Sequence, residues 1–208
     1  MNFSGNKKNR RLEFQDLMLF RVHEILLVSS PYDAYILEED GRLTEQILHG
    51  YLGMNISYAP RLWHAQTAEQ ALNMIEKRKF DLIIIMLRIS DMNSVSLAKK
   101  IKRTHPKTSL FLLAFDESEL TIFRENEIQN FFDRVFIWSG NANVFLAIIK
   151  QLEDRKNSPR DINRGEVRAI IFIEDSPRFY SVILPLIYQE IMYHTQQLVS
   201  KSFNHTHR

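Results

Sequence analysis

Short apolar runs alternate along this chain with segments whose apolar residues recur at helical spacing. "EILLVSS" (residues 24–30) is aliphatic, ends at Ser-Ser-Pro and predicts a strand. "PRLWHAQ" predicts a second strand. Thr67 and Gln70 then form a capping-box pattern ahead of Ala68, Ala71, Leu72 and Ile75, which share one helical face. "FDLIIIML" is apolar at consecutive positions, as a strand covered on both faces must be. Asn93 or Ser94 is placed to cap the next helix, with Leu97, Ala98 and Ile101 inward. After Pro106, "SLFLLAF" predicts a fourth strand, and "DESELTIFRENEI" a helix opened by Asp116 with Glu119 three residues on. "DRVFIW" predicts a fifth strand. Asn141 or Asn143 then caps a helix with Val144, Phe145, Ile148, Ile149 and Leu152 on its inner face.

Strict alternation of strand and helix predicts right-handed crossovers and one parallel sheet covered on both faces. The expected fold is α/β and flavodoxin-like (CheY-like): a doubly wound five-stranded parallel sheet of order 2-1-3-4-5. An extra C-terminal strand and a long helix follow it. Between the first two strands, Glu38, Glu39, Asp40 and Gly41 suggest a loop before the helix proper. "EDRKNSPRDINRGE" (153–166) is charged, contains Pro159 and Gly165, lacks apolar period and reads as a linker. Beyond it, "VRAIIFIEDSPRFY" from Val167 repeats "VHEILLVSSPYDAY" from Val22 at an offset of 145 residues. The expected divisions are a tail over 1–21, a domain over 22–153, a linker over 154–166, and the first strand and helix of a second, incomplete unit over 167–208.

Composition narrows the function classes. With 45% hydrophobic and 25% charged residues the chain has the mix of a folded globular protein. A net charge of +2 makes no electrostatic case for nucleic acid or for a membrane surface. The chain has no cysteine, so disulfides, thiolate nucleophiles and Cys-ligated zinc are excluded. No membrane-length apolar run and no signal-peptide core is present, which makes the cytoplasm the expected location. The basic cluster Lys7, Lys8, Arg10 and Arg11 reads as a solvated tail, and His194, His205 and His207 as a polar C-terminal end. Trp63 and His64 are accounted for by packing on the second strand.

In a sheet of this topology the functional crevice lies beyond the carboxyl ends of the strands. Those ends carry Ser29 and Ser30, Met86, Ala114 and Trp138. From about Val22 to Leu152 the chain resembles the receiver domain of two-component response regulators, and "FDLIIIMLRISDMNSVSLAKKIK" follows that family's third strand, loop and third helix. The resemblance implies an acidic pair for Mg²⁺ after the first strand and a phosphoryl-accepting aspartate after the third. It also implies a Thr or Ser after the fourth strand and a Lys after the fifth. This chain has Ser29 and Ser30, Met86, Ala114 and Trp138 in those places, with Ser139 where a proline usually follows the lysine. None of the functional side chains is present. Asp33, Asp91 and Asp116 lie nearby and read as cap or turn residues rather than displaced acceptors.

The resemblance therefore implies a degenerate receiver, a non-enzymatic module that acts through protein contacts. On receivers the face of the fourth helix, here "ESELTIFRENEIQN", is a common contact surface. Glu174 and Asp175 occupy the acidic-pair places in the second unit. They are candidate Mg²⁺ ligands only in a longer chain with a complete second receiver; for this chain no cofactor and no metal are expected. Ser176 and Pro177 make a good helix start. The order of a degenerate receiver followed by a second one is also similar to the N-terminal region of bacterial phosphoenolpyruvate (PEP) synthase-like, PEP/pyruvate-binding proteins. That implies regulation of an attached or partner enzyme of the PEP/pyruvate type. Two alternatives stay open: a phosphorelay component whose acceptor lies beyond residue 208, and a small-ligand-binding flavodoxin-like domain. The helix from Pro177 is apolar around much of its circumference, which predicts docking on the first domain or a homodimer through the C-terminal strand and helix.

Overall fold

The computed structural model describes residues 18–39, 42–43, 45, 59–123, 125–165 and 167–205. Five parallel strands, β1 (Glu24–Val28), β2 (Arg61–Ala65), β3 (Leu82–Met86), β4 (Ser109–Ala114) and β5 (Arg134–Ile137), form one sheet of order β2-β1-β3-β4-β5. This is the flavodoxin-like order expected from the sequence. The described helices are α1 (Pro31–Glu39), α2 (Ala68–Lys77), α3 (Ser94–Thr104), α4 (Glu125–Phe131), α5 (Asn143–Gly165) and α6 (Pro177–His205).

The central strands are apolar at every position because each face of the sheet is covered. Leu26, Val28, Ile83, Ile85, Leu110 and Leu112 pack with α2, α3 and α4 on one side. Ile25, Leu27, Ile84, Phe111 and Phe136 pack with α1, α5 and α6 on the other. Local chemistry fixes the helix starts. Thr67 Oγ1 accepts from Gln70 N at 3.0 Å, while the Gln70 side chain reaches back to Gln66 N. Asn93 Oδ1 accepts from Ser96 N at 2.9 Å, which settles the choice between Asn93 and Ser94. Asn141 Oδ1 accepts from Asn143 N at 2.9 Å ahead of α5. Gly140, at φ +80°, makes the turn into that helix in a backbone conformation that residues with a Cβ rarely adopt.

Four expectations are corrected. Glu38 and Glu39 end α1 rather than forming a loop before it; most of the segment from Asp40 to Tyr58 lies outside the described residues. The single helix expected after β4 is a 3-10 turn, Glu117–Ile122, followed by the short α4. The stretch read as a linker is helical through Gly165, Pro159 included. Its inward side chains, Glu153, Asn157 and Asp161, are polar and accept backbone N–H groups, so an apolar period could not reveal it. Finally, residues 167–176 join no strand, and the second unit contributes only its helix.

The docking of α6 is observed. Tyr180, Leu184 and Tyr188 enter the core beside α5 and β5, and Phe179, Val182, Leu186 and Tyr193 remain exposed. Among the described residues no helix is long and apolar enough to cross a membrane.

Candidate functional site

The carboxyl ends of the strands gather the residues singled out by the sequence. Ser29 directly follows β1, fully buried, and its Oγ lies 2.9 Å from His64 Nε2 on β2. Ser30 accepts the Asp33 N–H at 3.0 Å and so serves the first turn of α1. Met86 ends β3 and Ala114 ends β4, each 1% exposed, and Trp138 directly after β5 is 6% exposed. The Trp138 N–H donates to the Ala114 carbonyl at 2.7 Å, and its ring meets Phe145 edge-on at 6.0 Å. Met86 and Trp138 belong to one continuous core cluster with Phe145 and Leu27. The ends of the central strands are thus sealed by apolar side chains.

This donor set does not suit the Mg²⁺ that the receiver resemblance implies. A hard dication takes oxygen ligands and usually a carboxylate, whereas two serines, a thioether, a methyl and an indole supply no charge. A thioether also cannot form an acyl phosphate, and no cation at position 138 neutralises a phosphoryl group.

The nearby aspartates divide. Asp91 accepts from Ala68 N and Glu69 N at 2.7 and 3.0 Å and caps α2, and despite partial desolvation these backbone donors hold its carboxyl below the usual range. Asp116 accepts from Ser118 N at 2.8 Å and starts the 3-10 turn; the Ser118 hydroxyl first, and that N–H second, lower its pKa. Both are cap residues, as expected. Asp33 is different, because the sequence placed it in a loop and it lies in α1 with 2% exposure. Among the described residues its Oδ2 has no hydrogen-bond partner. Burial raises its pKa, against the hydroxyl of Ser30 and the charge of Arg88, while Glu119 adds to the rise. Glu119 in turn pairs with Arg88 at 2.6 Å and accepts from Phe115 N at 3.0 Å, tying the loops after β3 and β4 together. Its polar neighbours lie in three separate loops, so sequence alone gave no sign that Asp33 is buried.

Trp63 and His64 have packing roles. The Trp63 indole donates to Glu24, and the Arg78 guanidinium lies 3.9 Å above its ring. Glu174 and Asp175 lie just ahead of α6, where Glu174 Oε1 accepts from Ser176 N at 2.9 Å. They border a shallow cleft of about 370 Å³ shared with Ile128, Phe132, Arg134 and Tyr180. Among the described residues no group of three or more His, Asp or Glu side chains is arranged to hold a metal. His194 lies 3.8 Å from Glu190, and His207 and the basic cluster from Lys7 to Arg11 fall outside the described residues.

No family model matches the chain, and no curated protein does. Solved structures do. The chain is similar to the signal receiver domain of an HD domain-containing protein from Pseudomonas fluorescens Pf-5, at 24% identity and TM-score 0.47, over 69% of this chain and 95% of that one. It is similar to a CheY-like receiver domain protein from Methanospirillum hungatei JF-1, at 21% identity and TM-score 0.49, over 66% and 98%. A response regulator from Thermotoga maritima, solved with Mg²⁺ and BeF, matches at 18% identity and TM-score 0.48, over 62% and 98%. The structural neighbours are receiver domains.

Proposed function

We propose that this chain is a receiver-like regulatory module that has given up phosphoryl transfer and works through protein contacts. One observation carries the reading: the strand ends that would hold the reacting groups are closed by Met86, Ala114 and Trp138, all buried. The sheet keeps its apolar strands because the core requires them, and the chemistry at their ends is replaced by packing. Function then rests on surface rather than on reaction, and the chain is not an enzyme. The order of elements, with a second receiver-like start at Val167, supports a place ahead of, or beside, an enzyme of the PEP/pyruvate type in the cytoplasm.

Incubation with acetyl phosphate and Mg²⁺ followed by intact mass tests the reading. The expected spectrum shows the unmodified chain. A phosphoryl adduct on any aspartate, Asp33 included, sinks it.

A further inference from the structure

The repeat at an offset of 145 residues has two opposite fates. Ile25, Leu26 and Val28 are 1%, 0% and 0% exposed, at the centre of the sheet. Their counterparts Ile170, Ile171 and Ile173 are 73%, 82% and 88% exposed, and their backbone joins no strand. Only Phe172 turns inward, stacking on Tyr180 at 5.3 Å. The same run is β-branched and aromatic, the composition of a strand. It is followed within a dozen residues by Phe179, Val182 and Leu186, exposed on the outer side of α6. Six large apolar side chains close together in the chain and exposed are more than the singly scattered apolar residues of an ordinary surface, the kind of patch that marks an interaction site.

The charges flanking the run identify the occupant. An antiparallel pairing of the segment with itself, centred on Ile171, sets Ile171 opposite Ile171, Ile170 opposite Phe172 and Ala169 opposite Ile173. The same register sets Arg168 opposite Glu174, and two-fold symmetry makes that pair twice. A slip of one residue sets Arg168 against Ile173 or Asp175 but opposes side chains of opposite faces and so breaks the two-fold; the nearest symmetric slips, of two residues, set Arg168 against Phe172 or Ser176 and lose both pairs. We propose that residues 168–174 form the two-fold strand interface of a homodimer, with the partner a second copy of this chain in that register. The outer stripe of α6 extends the contact, and Phe172 anchors the strand to its own domain. This proposal is independent of whether the module accepts a phosphoryl group.

The absence of native cysteine makes the register directly testable in the full chain. Ile171→Cys places two thiols opposite one another across the axis, at a spacing a disulfide spans. Ile122→Cys, also largely exposed, on the 3-10 turn, is the control. Under mild oxidation I171C is expected to give a covalent dimer and I122C to stay uncrosslinked. In sedimentation equilibrium the unmodified chain is expected to dimerise, Arg168→Glu to weaken the dimer roughly tenfold, and R168E/E174R to restore it. Circular dichroism checks that each variant is folded. A chain that stays monomeric into the sub-millimolar range assigns the strand to a different protein's sheet and overturns the proposal. So does crosslinking of I171C no faster than I122C, or a charge swap that fails to restore the dimer.

Discussion

The Glu153 carboxylate accepts the backbone N–H of Val22 at 3.0 Å, across 131 residues of sequence. The contact is the first rung of a ladder. Asn157 Oδ1 accepts from Phe20 N at 2.8 Å and Asp161 Oδ2 from Met18 N at 2.9 Å. Four residues of helix rise roughly 6 Å and two residues of extended chain span roughly 6.6 Å. Acceptors four apart on α5 therefore keep step with donors two apart on the incoming chain. The second half of α5 clamps the segment that enters β1.

Glu153 also holds Lys150 at 2.8 Å, with both side chains nearly out of water. Glu153→Ala leaves a buried ammonium and the Val22 N–H without this partner, and is expected to cost roughly 3–5 kcal/mol. Glu153→Gln keeps an acceptor for Val22 and is expected to cost less. Urea unfolding followed by circular dichroism measures both, and equal losses would contradict the role given to the Val22 bond.

A second backbone group is satisfied from α6. Ser181 Oγ accepts the Ile137 N–H at 2.8 Å on β5, the last strand of the sheet, and donates to the Pro177 carbonyl. Such coverage blunts an edge that other strands could join. Ser181→Ala strands the Ile137 N–H in a buried setting, for an expected loss of about 1–3 kcal/mol. Hydrogen exchange at the Ile137 amide is expected to quicken relative to Phe136, and unchanged protection would show that α6 does not guard the edge.

The sheet was legible because its strands are bounded by turn residues and its helices open on side chains with one clear capping role, Thr67 and Asn93 among them. Residues 154–165 were not legible. Their pattern of Asn157 and Asp161 four apart looks like solvated surface, and only the position of residues 18–22 reveals what it grips. Val167 to Ile173 failed for the opposite reason. The pattern reads strand, but a strand needs a neighbour, and pairing is not a property of the segment. At the strand ends, the apolar Met86 and Trp138 were plain in the sequence, while the burial of Asp33 and the charges of Arg88 and Glu119 that act on it, far off along the chain, were not.

The contact between α5 and α6 has a pH dependence of fixed sign. Tyr188 donates to Asp154 Oδ2 at 2.7 Å. Burial raises the Asp154 pKa above its ordinary 3.8, partly offset by that bond and by Lys150. Burial and the Asp154 charge push the Tyr188 phenol up in turn. As pH climbs past 3.8, the unfolded chain releases the Asp154 proton before the folded chain does, so this group's contribution to stability falls until the raised native pKa is passed. Asp154→Asn keeps an acceptor for Tyr188 without the titration. Its stability relative to the parent chain is expected to improve as pH rises from below 3.8 to neutrality. Urea midpoints at a series of pH values check this; a difference that is flat or declines would refute it.

An aspartate placed at the end of β3 tests the proposed packing role of Met86 and Trp138. Met86 is 1% exposed and packed in the core with Leu27, Trp138 and Phe145. An aspartate there enters an apolar setting with Trp138 where a cation would have to stand and Ala114 where a hydroxyl would. Desolvation favours its protonated form, which is the wrong state for a nucleophile. Met86→Asp is therefore expected to destabilise the fold by about 3 kcal/mol or more and to take up no phosphoryl group from acetyl phosphate with Mg²⁺. The fuller replacement S29D/S30D/M86D/A114T/W138K supplies the missing charges together, and is the variant expected to show an adduct by intact mass if it folds. Phosphorylation of M86D alone would mean that the buried site already holds the means to bind the phosphoryl group, and the packing account of Met86 and Trp138 would have to be abandoned.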